Sequence, residues 1–307
     1  MQPELNEGCE PIPMTVLSGF LGAGKTTYLN QLIHSRRIPN ALIMVNDFGD
    51  INIDSELIDY QNDRIINLTN GCVCCTLGGS LAEQLAEALR FTPRPSAIVI
   101  EASGVANPAR IADIARVSHE LFLKEVICVV DASQALVNAK HPQIGEIWRE
   151  QIAVADRLLL NRLVDEAEFV KSLDTLLNSL NPSAARLELP LPNGAPAPTP
   201  ASQSTHTAPT STKNSHSWAS ATLTLLCAID AERLTSLLKN YADVVIRAKG
   251  FLVCGDQSRP KLLQFSGGQV RWLPSVKPPA QAQLVLIGIP GKRFDEACSA
   301  IRSLGDL

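Results

Sequence analysis

Residues 19–26 read Gly-Phe-Leu-Gly-Ala-Gly-Lys-Thr, with Thr27 directly behind, and the reading of this stretch decides the fold. It fills every fixed position of G-x-x-x-x-G-K-[ST], a loop whose backbone N–H groups cradle phosphates. The pattern carries weight only between a buried strand and a helix. Both flanks fit: MTVLSG (14–19) is a short apolar β-rich run, and KTTYLNQLIHS (25–35) has helical spacing. Gly19, Gly22 and Gly24, with Ala23 between the last two, let the amides turn inward. Lys25 places a charge at the β/γ-phosphates, and the Thr26 hydroxyl is a ligand for Mg²⁺.

Outward from the loop the same alternation repeats. ALIMVN (41–46), RIINL (64–68), SAIVIE (96–101), VICVVD (126–131) and DRLLLN (156–161) read as strands apolar on both faces, the mark of a buried parallel sheet. SLAEQLAEALR, ARIADIARV and EAEFVKSLDTLLNSL read as helices between several of them. The fold class expected is α/β: a P-loop NTPase domain with a mainly parallel sheet wrapped by helices, over residues 14–189 after a tail of 1–13. Residues 190–217 are rich in Pro, Ala, Ser and Thr with few large apolar side chains, and predict a flexible linker. His206 and His216 within it read as solvated linker residues. From 218 to 307 five strand-like runs and two helical segments, AERLTSLLKNYA and KRFDEACSAIRSL, predict a smaller α+β domain.

Composition narrows the function classes. Hydrophobic residues make up 45% of the 307, enough for a real core, and the net charge of −4 leaves no electrostatic footprint for nucleic acid. No run approaches the ~18 consecutive apolar residues of a membrane span. The first residues, MQPELNEGCEPIP, are acidic and lack the apolar stretch of a secretory signal, so a cytoplasmic location is expected.

Two constellations carry chemistry beyond the loop. Glu101 closes the run SAIVIE, and a carboxylate at the tip of a neighbouring strand stands near the metal and the attacking water. Val105 follows Gly104 where Ras-like enzymes carry a water-orienting Gln, so slow intrinsic hydrolysis is expected. The second is Cys72, Cys74 and Cys75, three of the eight cysteines inside four positions. Where thiols stay reduced, structural disulfides are not the default reading. The residues alone leave three readings open: inert core thiols, a redox switch, or soft ligands for one ion. In an extended segment Cys72 and Cys74 point one way and Cys75 the other, so convergence at about 2.3 Å from a zinc ion needs a turn. Gly71, Gly78 and Gly79 permit one.

Taken together, GFLGAGKTT (19–27), VNDFGDINID (45–54), NGCVCC (70–75), EASGVANP (101–108) and VVDAS (129–133) resemble the CobW-like metallochaperone GTPases. The final domain, with RAKG (247–250) and LVLIG (284–288), looks like the C-terminal domain of that family. The resemblance implies a GTPase using GTP and Mg²⁺, which binds Zn²⁺ or alternatively Co²⁺ through Cys72, Cys74 and Cys75. It implies delivery to a client metalloprotein or metallocofactor enzyme, a switch at Asn46-Asp47-Phe48-Gly49, and a catalytic part for Asp47 beside Glu101. Asp47 stands where members commonly carry Glu. The base-recognising Asn-Lys-x-Asp of such GTPases is altered here: Asn161-Arg162-Leu163-Val164 precedes Asp165, so relaxed GTP-over-ATP preference is expected. A P-loop kinase of a small metabolite and a thiol redox regulator remain the alternatives. The client, the choice of metal and the oligomeric state stay open at this level.

Overall fold

The computed structural model describes residues 10–35, 40–45, 65–67, 79–190, 218–225, 228–255, 260–274 and 282–305. The first sheet has seven strands: β1 (Ile12–Ser18), β2 (Ala41–Val45), β3 (Ile65–Asn67), β4 (Ala97–Glu101), β5 (Leu121–Asp131), β6 (Arg157–Asn161) and β7 (Ala185–Glu188). Their order is β3-β2-β4-β1-β5-β6-β7, and every pairing is parallel. β1 therefore lies centrally, and a loop leaving its carboxyl end opens where doubly wound sheets bind ligands.

Strand parity explains the layering. Met14, Val16, Ile98 and Ile100 turn to one face, where they pack with α2 (Gly79–Ala88) and α3 (Pro108–Val117). Cys128, Val130, Leu158 and Leu160 continue that face beneath α4 (Ala132–Lys140), α5 (Gly145–Ala153) and α6 (Ala167–Leu180). Leu17, Val99, Ile127 and Val129 turn the other way, against Tyr28 and Leu29 of α1 (Lys25–His34). Two helices, α4 and α5, occupy a stretch with no clear apolar period. The buried residues of α4 are Ala132, Ala135 and Ala139, which leave almost no hydropathy contrast in the sequence.

The second sheet is antiparallel, in the order β11-β10-β9-β12-β8. Its strands are β8 (Ala219–Thr224), β9 (Val245–Leu252), β10 (Lys261–Ser266), β11 (Gln269–Pro274) and β12 (Gln283–Gly288). One face packs Ala248, Leu263, Phe265, Leu284 and Leu286 against α7 (Ala231–Asn240) and α8 (Lys292–Arg302). The opposite face is not wholly open to solvent. Its Leu262, Val285 and Ile287 share one apolar cluster with Phe20, Leu21 and Val105 of the first half. Trp218, where the described chain resumes, sets its ring 6.4 Å from that of Phe20. The Ser266 hydroxyl donates to the carbonyl oxygen of Leu21 at 3.0 Å, joining β10 to the phosphate-loop sequence across 245 positions. Among the described residues no helix is long and apolar enough to cross a membrane.

Candidate nucleotide site

The loop between β1 and α1 takes its shape from residues without side chains. Gly22 has φ +77° and Gly24 φ +108°, conformations that L side chains rarely adopt. A Cβ on Gly24 would stand 2.5 Å from the Asn161 amide nitrogen, and one on Gly22 would stand 2.2 Å from the Ser266 hydroxyl. Both glycines thus mark close approach as well as curvature. Ala23 is buried between them, and its carbonyl accepts from Asn161 Nδ2 at 2.8 Å. Asn161 closes β6 next to Asp131 of β5, so the sheet itself carries this side chain to the loop.

Lys25 begins α1, is 6% exposed, and donates from Nζ to the Gly19 carbonyl at 2.9 Å, which holds the ammonium over the mouth of the loop. Thr26 follows with its hydroxyl 2.9 Å from Glu101 Oε1, to which it donates. Glu101 pairs in register with Leu17 on one side and Val45 on the other, so the carboxylate is fixed at the strand ends. This pair tests whether Mg²⁺ suits the site. Both groups are hard oxygen donors, and neighbouring ligands of an octahedral ion at 2.0–2.1 Å lie about 3 Å apart. The observed spacing fits.

The segment after Glu101 is held from behind. Gln151 on α5, 1% exposed, donates to the carbonyls of Gly104 and Ala106, each at 3.1 Å. Asn107 caps α3 by accepting from the Ala109 N–H at 2.9 Å. Val105 is buried in the core, so its side chain is no polar group for a water at the phosphates.

At the base-recognising position the chain takes its own course. Arg162 adopts φ +54° and forms an ion pair with Asp131, whose other oxygen accepts from the Ser133 hydroxyl at 2.7 Å. Leu163 packs on the core and Asp165 is exposed. Arg162 lines a cleft beside the loop, as do Gly22, Gly24, Lys25, Thr26 and Thr27.

That cleft has a volume of about 560 Å³, within the range of small-ligand sites. Its far wall is the second sheet: Arg247 and Lys249 of β9, Gln264 of β10 and Arg271 of β11. Sequence reasoning missed these residues. The alternation Arg-Ala-Lys puts Arg247 and Lys249 on one strand face, but only the docking of the sheet shows which face meets the loop. Asp47, Cys72, Cys74 and Cys75 lie outside the described residues. Among the described residues no group of three or more His, Cys, Asp or Glu is placed to hold a metal ion. Three described cysteines, Cys128, Cys254 and Cys298, are buried free thiols, and burial pushes Cys128 up to about 12.

Comparison with known proteins agrees with this arrangement. The family model "CobW/HypB/UreG, nucleotide-binding domain" matches residues 13–188, and "Cobalamin synthesis protein cobW C-terminal domain" matches residues 218–301. The zinc chaperone YjiA of Escherichia coli is 34% identical over 185 residues, 57% of this chain and 56% of that protein. The zinc-regulated GTPase metalloprotein activator 1 of Dictyostelium discoideum is 31% identical over 222 residues, 59% of this chain and 46% of that one. The chain thus spans about half the length of the curated relatives it matches. The crystal structure of Zn(II)-bound YjiA aligns with 96% of this chain and 99% of its own at 22% identity, with a TM-score of 0.41. With its phosphate-binding loop, its Thr26–Glu101 pair and both family models matched in order, the chain belongs to the CobW/HypB/UreG nucleotide-binding family and carries the CobW C-terminal domain.

Proposed function

We propose that this protein is a cytoplasmic GTP-dependent metallochaperone. It binds a transition metal, zinc before cobalt, at Cys72, Cys74 and Cys75 and releases it to a client metalloprotein when GTP is hydrolysed. The observation that carries the nucleotide half is the Thr26 hydroxyl set 2.9 Å from the Glu101 carboxylate at the foot of the loop. The metal half is supported by the zinc chaperones among the relatives and by the soft-ligand chemistry of three clustered thiols. Residues 14–189 then form the GTPase domain, 190–217 a linker, and 218–307 a C-terminal domain.

Each residue has work to do in this reading. The loop amides and Lys25 bind and orient the phosphates. Thr26 and Glu101 would hold Mg²⁺, which would supply neutralisation of the charge developing on the phosphates. Glu101 would act on the attacking water, and the family resemblance assigns Asp47 to the same task. With Val105 in the core, orientation of that water falls to few groups, and slow turnover follows. Asn161 ties the loop to the base-side end of the sheet. Three thiolates leave one position of a tetrahedral ion open, which suits exchange with a client and not a closed structural site.

The test is spectroscopic. Cobalt-loaded protein should show thiolate-to-Co²⁺ charge-transfer absorption, and a Cys74→Ala/Cys75→Ala variant should lose it while folding and binding GTP normally. Full retention of that absorption in the double variant refutes the metal assignment.

A further inference from the structure

We infer that the C-terminal sheet is the second wall of the nucleotide site, and that Lys249 and Arg271 bind the triphosphate directly from it. This rests on reading the cleft as a nucleotide site.

The register of the sheet places these groups together. Gln264 of β10 pairs with Lys249 on one side and with Arg271 on the other, so the three lie in one row across β9, β10 and β11. Ser266 pairs with Arg247 and Gln269 in the next row, on the same face. Ser266 is also the residue that donates to Leu21 and approaches Gly22. The contact pins this polar row beside the phosphate loop. Farther along the same face, Val285 and Ile287 of β12 pack into the core with Phe20 and Leu21, so the docking is apolar at one end and charged at the other. Lys249 is only 5% exposed and lines the cleft.

Charge then selects the ligand. Among the described residues lining the cleft, Lys25, Arg162, Arg247, Lys249 and Arg271 are cationic and Glu101 alone is a carboxylate. The loop amides and Lys25 already serve the inner phosphates. A row of cations across the cleft answers the additional negative charge of a triphosphate over a diphosphate, in the manner of an arginine supplied in cis. Nucleotide binding therefore bridges the two halves of the protein, and loss of the γ-phosphate loosens that bridge.

The experiment is a fluorescence titration of the full chain with mant-GTP and mant-GDP, with Mg²⁺ present. Arg271→Ala and Lys249→Met should each weaken mant-GTP about tenfold or more, the loss of one charge-assisted hydrogen bond, and weaken mant-GDP less than about threefold. Arg302→Ala, an exposed charge change on α8 away from the cleft, should leave both unchanged. Arg271 is an exposed residue of β11, so that variant stays informative even if the buried Lys249→Met does not fold. Wild-type binding of both nucleotides, with Arg271→Ala matching wild type within about twofold for mant-GTP, overturns the inference and leaves the nucleotide site standing. Failure of wild type to bind either nucleotide, with Lys25→Ala indistinguishable from it, overturns the site and the inference with it.

Discussion

Gly22→Ala should strike the joint between the phosphate loop and the C-terminal sheet, and its cost can be taken apart. At φ +77° an alanine pays the left-handed backbone penalty, about 1–2 kcal/mol. Its Cβ would stand 2.2 Å from Ser266 Oγ and 2.6 Å from Ser266 Cβ, so β10 must shift, an overpacking cost of about 1–3 kcal/mol. That shift also breaks the hydrogen bond from Ser266 to Leu21, worth about 0.5–1.5 kcal/mol. Ser266→Gly alone loses this bond and adds a glycine at a strand end, about 1–2.5 kcal/mol in all. In the double variant the clash is gone and the hydrogen bond is lost only once. The double should therefore be less destabilised than the sum of the singles by about 1.5–4.5 kcal/mol. The assay is urea unfolding of all four proteins followed by tryptophan fluorescence, to which Trp218 contributes beside Phe20. Strict additivity would refute the docking of β10 on the loop, because residues that do not touch do not couple.

Three further outcomes are expected. Because Arg162 is paired with Asp131, Leu163 is packed on the core and Asp165 is exposed, GTP should be preferred over ATP by less than about a hundredfold. Competition of ATP against mant-GTP measures this, and a far larger preference abolished by Asp165→Ala would show that Asp165 recognises guanine. Burial holds the folded Cys128 thiol protonated to about 12 against an unperturbed 9.0, so it should resist DTNB at pH 8 until the protein unfolds. The sign follows: the raised value contributes stability that is intact below pH 9 and lost as pH rises towards 12, on the order of 4 kcal/mol. Rapid labelling of Cys128 in folded protein contradicts this. Limited proteolysis should cut first within 190–217, giving two stable fragments, and an uncut segment would refute the linker reading.

The fold was legible where side-chain pattern and tertiary role coincide. VICVVD and SAIVIE are buried on both faces, so their unbroken apolar runs could mean only interior strands or very short buried helices, and the P-loop pattern settled the matter. β7 (ARLE) was missed because three of its four residues are exposed and the fourth is half-buried, leaving no apolar run at the sheet edge. α4 was missed because alanines bury without announcing themselves in hydropathy. In the site, Thr26 and Glu101 could be brought together on paper, since strand tips and loop are linked by a recurring topology. The wall carrying Lys249 and Arg271 could not, because it depends on one sheet docking on a loop more than two hundred positions away. Arg162 stands where such GTPases carry the lysine of Asn-Lys-x-Asp, and in the structure it pairs with Asp131.

The central claim is that nucleotide state governs metal affinity, and a zinc competition titration of the full chain tests it most directly. A chromophoric chelator would compete for Zn²⁺ against protein loaded with a non-hydrolysable GTP analogue, with GDP, or with no nucleotide. The account predicts that zinc affinity differs between the GTP-analogue and GDP forms by about 5- to 150-fold, with a reciprocal change in nucleotide affinity when zinc is bound. Equal zinc affinity in all three states would contradict it.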